Sequence, residues 1–236
     1  MNFKKYKTIL FDCDGVILNS NAIKTEAFKK ILNYYDENAV HEFIDYHRRN
    51  RGISRYEKLN YFLSNIYPKY CRNFNSNEEL LKILLKNYSD ECKLSLANAQ
   101  VTEGLSNLRE VSKDIPWLIV SGGDQKELRE VFKNKNINNY FNGGIFGSPD
   151  KKMDIVEREI SSGLIKFPAL MLGDSKLDYL VAKSNNIDFL FVSQWTDLQE
   201  YEVYCKNNSI KVIKSVDVIK SVDVIKKYWI NFEYYN

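Results

Sequence analysis

The stretch Ile9-Leu10-Phe11-Asp12-Cys13-Asp14-Gly15-Val16-Ile17 decides how the rest of the chain is read. An apolar run from Tyr6 to Phe11 stops at two aspartates one residue apart, followed by glycine. A short apolar run bounded by a turn signal predicts a buried strand. Two carboxylates at the end of such a strand are costly unless a cation lies between them. They either serve a metal and a nucleophilic reaction or cap a turn. Cys13, between them, reads as a small packing residue.

Working outward, the next residues change period. Ile23, Ala27, Ile31 and Tyr35 recur four apart, with Phe28 and Leu32 in the same stripe, which predicts a helix. A second helix is expected from Ala39 to about Arg49. Ser54-Arg55-Tyr56-Glu57 and Ser76-Asn77-Glu78-Glu79 have the form of capping boxes ahead of helical apolar stripes. Residues 18–98 therefore read as helical, with no strand. From Val101 onward helices alternate with strands: Ile115–Val120, Gly144–Phe146, Pro168–Leu172, Ile187–Val192 and Ile210–Ile213, then a final helix. Such alternation with short loops predicts a parallel sheet covered on both faces. The fold class expected is α/β, a Rossmann-like three-layer α/β/α core (1–17 and 99–236) with an inserted all-helical cap (18–98). Lys214-Ser-Val-Asp-Val-Ile219 is repeated at once as Lys220–Ile225, too short for a repeat architecture.

Composition narrows the function. In 236 residues, 34 basic and 31 acidic side chains leave a net charge of +3, too balanced to argue for nucleic acid or an anionic membrane as partner. No apolar run approaches the roughly 20 residues that cross a bilayer, and the start does not read as a signal peptide. Cys13, Cys71, Cys92 and Cys205 show no metal or disulfide spacing, so a reduced, cytoplasmic protein is expected. With only His41 and His47, both distant in sequence from Asp12, catalysis is expected to run on carboxylates.

Four polar clusters follow strands: Asp12/Asp14, Ser121-Gly122-Gly123, Lys151/Lys152 and Asp174/Asp178. In an open α/β sheet, ligands bind beyond the carboxyl ends of the strands, so one edge gathers all four. Each alone has an ordinary reading: a turn at Asp14-Gly15, an N-cap at Asp124 or Asp174, solvated lysines. Together they supply oxygen ligands suited to Mg²⁺, backbone N–H groups before a helix for phosphate oxygens, and a lysine for the transferring group. Asp178, one turn after Asp174, is placed to face the same site.

Asp12-x-Asp14-Gly-Val, Ser121-Gly-Gly, Ser148-Pro-x-x-Lys152 and Gly173-Asp174-Ser-x-x-Asp178, in this order, resemble the motifs of the haloacid dehalogenase superfamily. The likeness is to its phosphoglycolate-phosphatase-like and β-phosphoglucomutase-like branch, whose helical cap follows the first motif. The resemblance implies Asp12 as nucleophile forming an aspartyl-phosphate and Asp14 as general acid, then base. It implies Mg²⁺ held by Asp12, the backbone carbonyl of Asp14 and Asp174. Ser121, Gly122 and Lys152 would bind the phosphoryl group, with Asp178 orienting the lysine or a metal-bound water. The Ser-Pro-x-x-Lys register favours Lys152 over Lys151. Asn19 stands where many members have Asp, a change expected to bear on helix capping. Arg55, within Arg51-Gly-Ile-Ser-Arg55, either grips a second anion of the substrate or is a solvated residue after the Ser54 cap; Lys24 is a weaker candidate to face the site.

The reading is a Mg²⁺-dependent phosphatase for a small phosphorylated metabolite, a monomer or small homo-oligomer. A β-phosphoglucomutase-type isomerase is the alternative, resting on the Arg55 loop, and a non-catalytic binding protein on this fold is the remote one.

Overall fold

In a computed structural model, which describes residues 5–71 and 78–219, strand β1 (Thr8–Phe11) is the centre of the sheet. It pairs in parallel with β2 (Trp117–Asp124) on one side and β4 (Ala169–Gly173) on the other. β3 (Gly144–Ser148) lies outside β2, and β5 (Asp188–Val192) and β6 (Lys211–Ile213) continue beyond β4. The order is β3-β2-β1-β4-β5-β6, parallel throughout. A strand buried on both faces needs apolar residues at successive positions, and Thr8–Phe11 is buried at all four.

Side chains alternate across the sheet, which sorts the apolar residues into two layers. Ile9 and Phe11 join Trp117, Ile119, Leu170 and Leu172 on one face. That face is covered by α5 (Leu105–Val111) through Leu105 and Leu108 and by α6 (Gln125–Asn134) through Leu128 and Phe132. Leu10, Leu118, Val120 and Met171 point the other way. They pack on Ile155 and Val156 of α7 (Lys152–Ser161) and Val181 and Ala182 of α8 (Lys176–Ser184). A further helix, α9 (Tyr201–Asn207), precedes β6. The three-layer α/β/α expectation holds.

The remaining helices build a separate apolar cluster. They are α1 (Asn21–Leu32), α2 (Glu37–Arg49), α3 (Arg55–Tyr61) and α4 (Glu78–Ala97), with a π-helical turn at Phe62–Ile66. Phe28, Phe43 and Phe62 form its centre, with ring centroids 5.1 Å and 5.3 Å apart in edge-on pairs. The chain leaves the sheet and returns to it side by side: Asn19 N–H donates to Gln100 O at 2.9 Å, Thr102 N–H to Ile17 O at 2.9 Å, and Leu18 bridges Val101.

Several local expectations are corrected. β2 does not end at Val120 but runs on, with a register irregularity, through Ser121-Gly122-Gly123 to Asp124, which caps α6 by accepting from Glu127 N–H at 3.0 Å. Asn19 takes no part in capping; it is exposed, and Ser20 is the residue before α1, without a side-chain cap bond. Ser54 does cap α3, accepting from Glu57 N–H at 3.2 Å. Ser76, the final helix and the second copy of the six-residue duplication lie outside the described residues.

Two stability outcomes follow. Phe62→Ala removes a fully buried ring from the helical cluster and is expected to cost about 3–5 kcal/mol in denaturant melts. His47 is buried against the Phe28 ring, centroids 4.8 Å apart. Burial first, then cationic neighbours such as Arg51, push its pKa down, so it is neutral when folded. A depressed folded pKa contributes stability that is present above the unfolded value of 6.5 and lost as pH falls below it. His47→Gln is expected to show a shallower loss of stability than wild type across that acid range.

Candidate active site

Strand ends place the acids. Asp12 directly follows β1 and Asp174 directly follows β4, its hydrogen-bonded neighbour, so the two carboxylates emerge side by side. Asp178 arrives from the first turn of α8. Ser175 caps that helix in a reciprocal box: its Oγ accepts from Asp178 N–H at 3.3 Å, and its own N–H donates to Asp178 Oδ2 at 3.2 Å. Ser175, not Asp174, is therefore the cap, which leaves Asp174 facing the site. Carboxylate oxygens of Asp12, Asp174 and Asp178 lie within 4.8 Å of one another, all buried.

Lys152 makes this cluster tolerable. It is the first residue of α7, 2 % exposed, and its Nζ lies 2.8 Å from Asp12 Oδ1 and 2.6 Å from Asp178 Oδ1. Burial would lower its pKa, but the two carboxylates hold it well above the usual lysine range. Lys151, by contrast, is exposed and sits 3.7 Å from Glu57. The ordinary reading of a solvated lysine thus describes Lys151 and not Lys152.

One ammonium does not neutralise three carboxylates. Burial and the charge of Asp178 push Asp12 up to about 7, despite Lys152. Burial and the charges of Asp12 and Asp178 push Asp174 well above the carboxylate range. Such an excess of buried negative charge fits a divalent cation. Side-chain and backbone donors fall on one oxygen of Asp12 (Lys152, and Cys13 N–H at 2.7 Å) and on one oxygen of Asp174 (Asn21 Nδ2 at 2.8 Å). Oxygen ligands of this kind, at a site with room for water, are what Mg²⁺ takes.

Asp14 is different from Asp12. Its side chain is not in the cluster: it accepts from Ser20 Oγ at 2.5 Å and is paired with Lys24 Nζ. Burial would raise its pKa, yet Lys24 and Ser20 outweigh that and hold it below the usual carboxylate value. Gly15, at φ +77°, follows because a Cβ there would lie 2.0 Å from Asp174 Oδ2.

The phosphate-loop candidates close the site from β2. Ser121 is fully buried, its Oγ accepting from Gly123 N–H at 3.0 Å, which leaves its hydroxyl proton to donate. Gly122 lines the cavity above Asp12, and a Cβ there would strike Gly52 O at 2.2 Å. The helical unit thus presses its Gly52 backbone onto this loop. Arg55 is not a solvated residue. It lines the same cavity, is 6 % exposed and is forked onto Glu127 of α6, with Nη1 2.9 Å from Oε1 and Nη2 on Oε2. Its Cζ lies over the Tyr88 ring, 4.7 Å from the centroid, and Ser89 Oγ donates to Glu127 at 2.6 Å.

The cavity also holds residues that the sequence did not single out: Asn21, His47, Arg51 and Lys58. His47 had been set aside for its distance along the chain. A helical insertion offers no period that marks which polar residues turn toward a neighbouring unit, so only the tertiary arrangement finds them. The four cysteines are unpaired, and Cys13 is fully buried, as packing predicts.

With this geometry in hand, comparison with known proteins gives a consistent answer. A family model described as haloacid dehalogenase-like hydrolase matches residues 9–192. A search of curated proteins found no match. Among solved structures, β-phosphoglucomutase from Clostridium difficile superposes with a TM-score of 0.67 at 20 % identity, over 94 % of this chain and 97 % of that one. A haloacid dehalogenase-like family hydrolase from Streptococcus pneumoniae gives 0.63 at 20 % identity, over 96 % and 100 %. CbbY from Rhodobacter sphaeroides, in complex with phosphate, gives 0.64 at 14 %, over 90 % and 95 %. At such identities the structures speak for the fold; the family model, spanning most of the sequence, shows that the chain belongs to the haloacid dehalogenase-like hydrolases.

Proposed function

We propose that this protein is a Mg²⁺-dependent phosphatase that hydrolyses a small phosphate monoester through an aspartyl-phosphate on Asp12. The observation that carries the reading is the buried Lys152 ammonium, 2.8 Å from Asp12 inside a three-carboxylate cluster at the strand ends. Asp12, Asp174 and the backbone carbonyl of Asp14 would hold Mg²⁺, with Asp178 orienting Lys152. The cation, when bound, offsets the cluster's negative charge and lets a phosphoryl dianion approach. Lys152, the Ser121 hydroxyl and the Gly122 N–H would take the non-bridging phosphoryl oxygens.

In the first step an Asp12 oxygen bonds to phosphorus, the P–O ester bond breaks, and the leaving oxygen takes a proton from the Asp14 carboxyl. In the second, water attacks phosphorus and gives a proton to the Asp14 carboxylate, and the Asp12–phosphorus bond breaks to free phosphate. Lys24 favours the ionised form of Asp14 and so suits the second step. It comes from α1, on the helical unit, and we assign loading of the Asp14 proton to an open state in which Lys24 is withdrawn.

We take residues 18–98 as a cap over the 1–17 and 99–236 core, swinging about the paired segments at Leu18 and Val101. The phosphomutase alternative rests on the Arg55 loop; with Arg55 forked on Glu127, we assign it to cap closure, alongside the Tyr56 hydroxyl, which donates to Asp124 at 2.7 Å.

Asp12→Asn is expected to lower phosphate release from a panel of small phosphate esters by about 10³-fold or more, and undiminished release would sink the proposal. Saturating Mg²⁺ is expected to raise the melting temperature by about 5–10 °C, from mass action on the folded state. Asp174→Asn should abolish that rise; a shift equal to wild type would remove Asp174 from the metal site.

A further inference from the structure

The cavity above Asp12 is floored by acids and walled by cations, and almost every cation has its own acid. Lys152 has Asp12 and Asp178, Lys24 has Asp14, Arg51 has Asp197, and Arg55 has Glu127. Lys58 of α3 is the exception. It is 4 % exposed, lines the same cavity, and has no carboxylate within ion-pair distance among the described residues. Its partner is Nδ1 of His47, 3.0 Å from Nζ.

The neighbours determine where the protons lie. An Nη1–H of Arg51 points at His47 Nε2 from 2.9 Å, and a guanidinium only donates. Nε2 is therefore the acceptor, Nδ1 carries the single ring proton of a neutral imidazole, and Lys58 Nζ has to accept it. An ammonium has no lone pair, so Lys58 stands here as a neutral amine. Its surroundings agree: burial and the like charges of Arg51, Lys24 and Lys152 lower its pKa, against the attraction of Asp14. On His47, burial and the charges of Arg51, Lys24 and Arg48 keep the ring neutral. A second group is also incomplete. Arg51 Nε is buried with no acceptor among the described residues.

We propose that Lys58 and Arg51 form a subsite for a second anionic group on the substrate, a carboxylate, so that the substrate class is a short phosphorylated acid. This rests on reading the Asp12–Lys152 end of the cavity as the phosphoryl site. The cavity of about 50 Å³ holds roughly four waters at 10–15 Å³ each, little more than a phosphoryl group, so any tail joining the two anionic groups is short. When the carboxylate enters, Lys58 takes one proton from solvent and donates to it, and Arg51 turns its guanidinium onto the same group. His47 then accepts from Lys58 at Nδ1, its ring proton moving to Nε2, where Thr25 Oγ1 lies 3.1 Å away as acceptor.

The test uses 2-phosphoglycolate and its uncharged counterpart, ethylene glycol monophosphate, on the full chain. Calorimetry with Ca²⁺ in place of Mg²⁺, so that a cation still offsets the acids, at about pH 8, above the second phosphate pKa of about 6, in two buffers of different ionisation enthalpy reads proton uptake. Wild type is expected to take up about one proton per 2-phosphoglycolate bound and Lys58→Met none. With Mg²⁺, kcat/KM of wild type should favour the acid over the alcohol ester by about tenfold or more, and Lys58→Met should collapse that ratio toward one. Absent binding, absent uptake by wild type, uptake that persists in Lys58→Met, or equal turnover of the two esters by wild type overturns the subsite. Binding with proton uptake but no phosphate release from either ester upholds the subsite and fails the hydrolase reading instead. If Lys58→Met does not fold, as judged by its melt, the wild-type uptake and ester preference decide alone.

Discussion

The structure turns on one buried ion network, Lys152 between Asp12 and Asp178. A lone ammonium or carboxylate at this depth would cost several kcal/mol, and each is tolerated only because the others are there. The network ties three parts of the core together: the end of β1, the start of α7 and the first turn of α8. It also depends on Ser175, whose capping box fixes the Asp178 carboxylate before Lys152 reaches it. A single residue thus serves helix formation and site assembly, which is why the two cannot be separated at Asp178.

The charge left over after Lys152 is the source of the chemistry. Three buried carboxylates against one ammonium raise Asp12 and Asp174, a state that a divalent cation relieves. Asp14 escapes this by turning toward the helical unit, where Lys24 and Ser20 hold it. Two aspartates one residue apart therefore live in opposite electrostatic environments. For the proposed first step that division has to be reversed, with Asp12 ionised and Asp14 carrying the proton, which a bound cation beside Asp12 and withdrawal of Lys24 from Asp14 would bring about.

The helical unit meets the core through polar contacts: Arg55 with Glu127, Tyr56 with Asp124, and the Gly52 carbonyl over Gly122. Its apolar cluster is largely its own, with Val131 of α6 the residue of the core that packs against it. A unit with its own core and a mainly polar seam exposes little apolar surface if it moves.

The sequence by itself determined the fold class, the first strand and the polar clusters that gather beyond the strand ends. Strand period, helix period and the clusters after each strand are local signals, and parallel sheet topology brings those clusters to one edge. Lys152 over Lys151 was favoured by the resemblance of Ser148-Pro-x-x-Lys152 to a family motif. The extension of β2 through Ser121-Gly122-Gly123 was not, because glycines read as a turn unless a neighbouring strand pairs with them. Only the tertiary structure decided the fate of Arg55, the pairing of Lys24 with Asp14, and the gathering of Asn21, His47, Arg51 and Lys58 above the acids. Each of those depends on how a helical unit docks on the sheet, and docking is set by contacts between residues far apart in sequence, for which no local period exists.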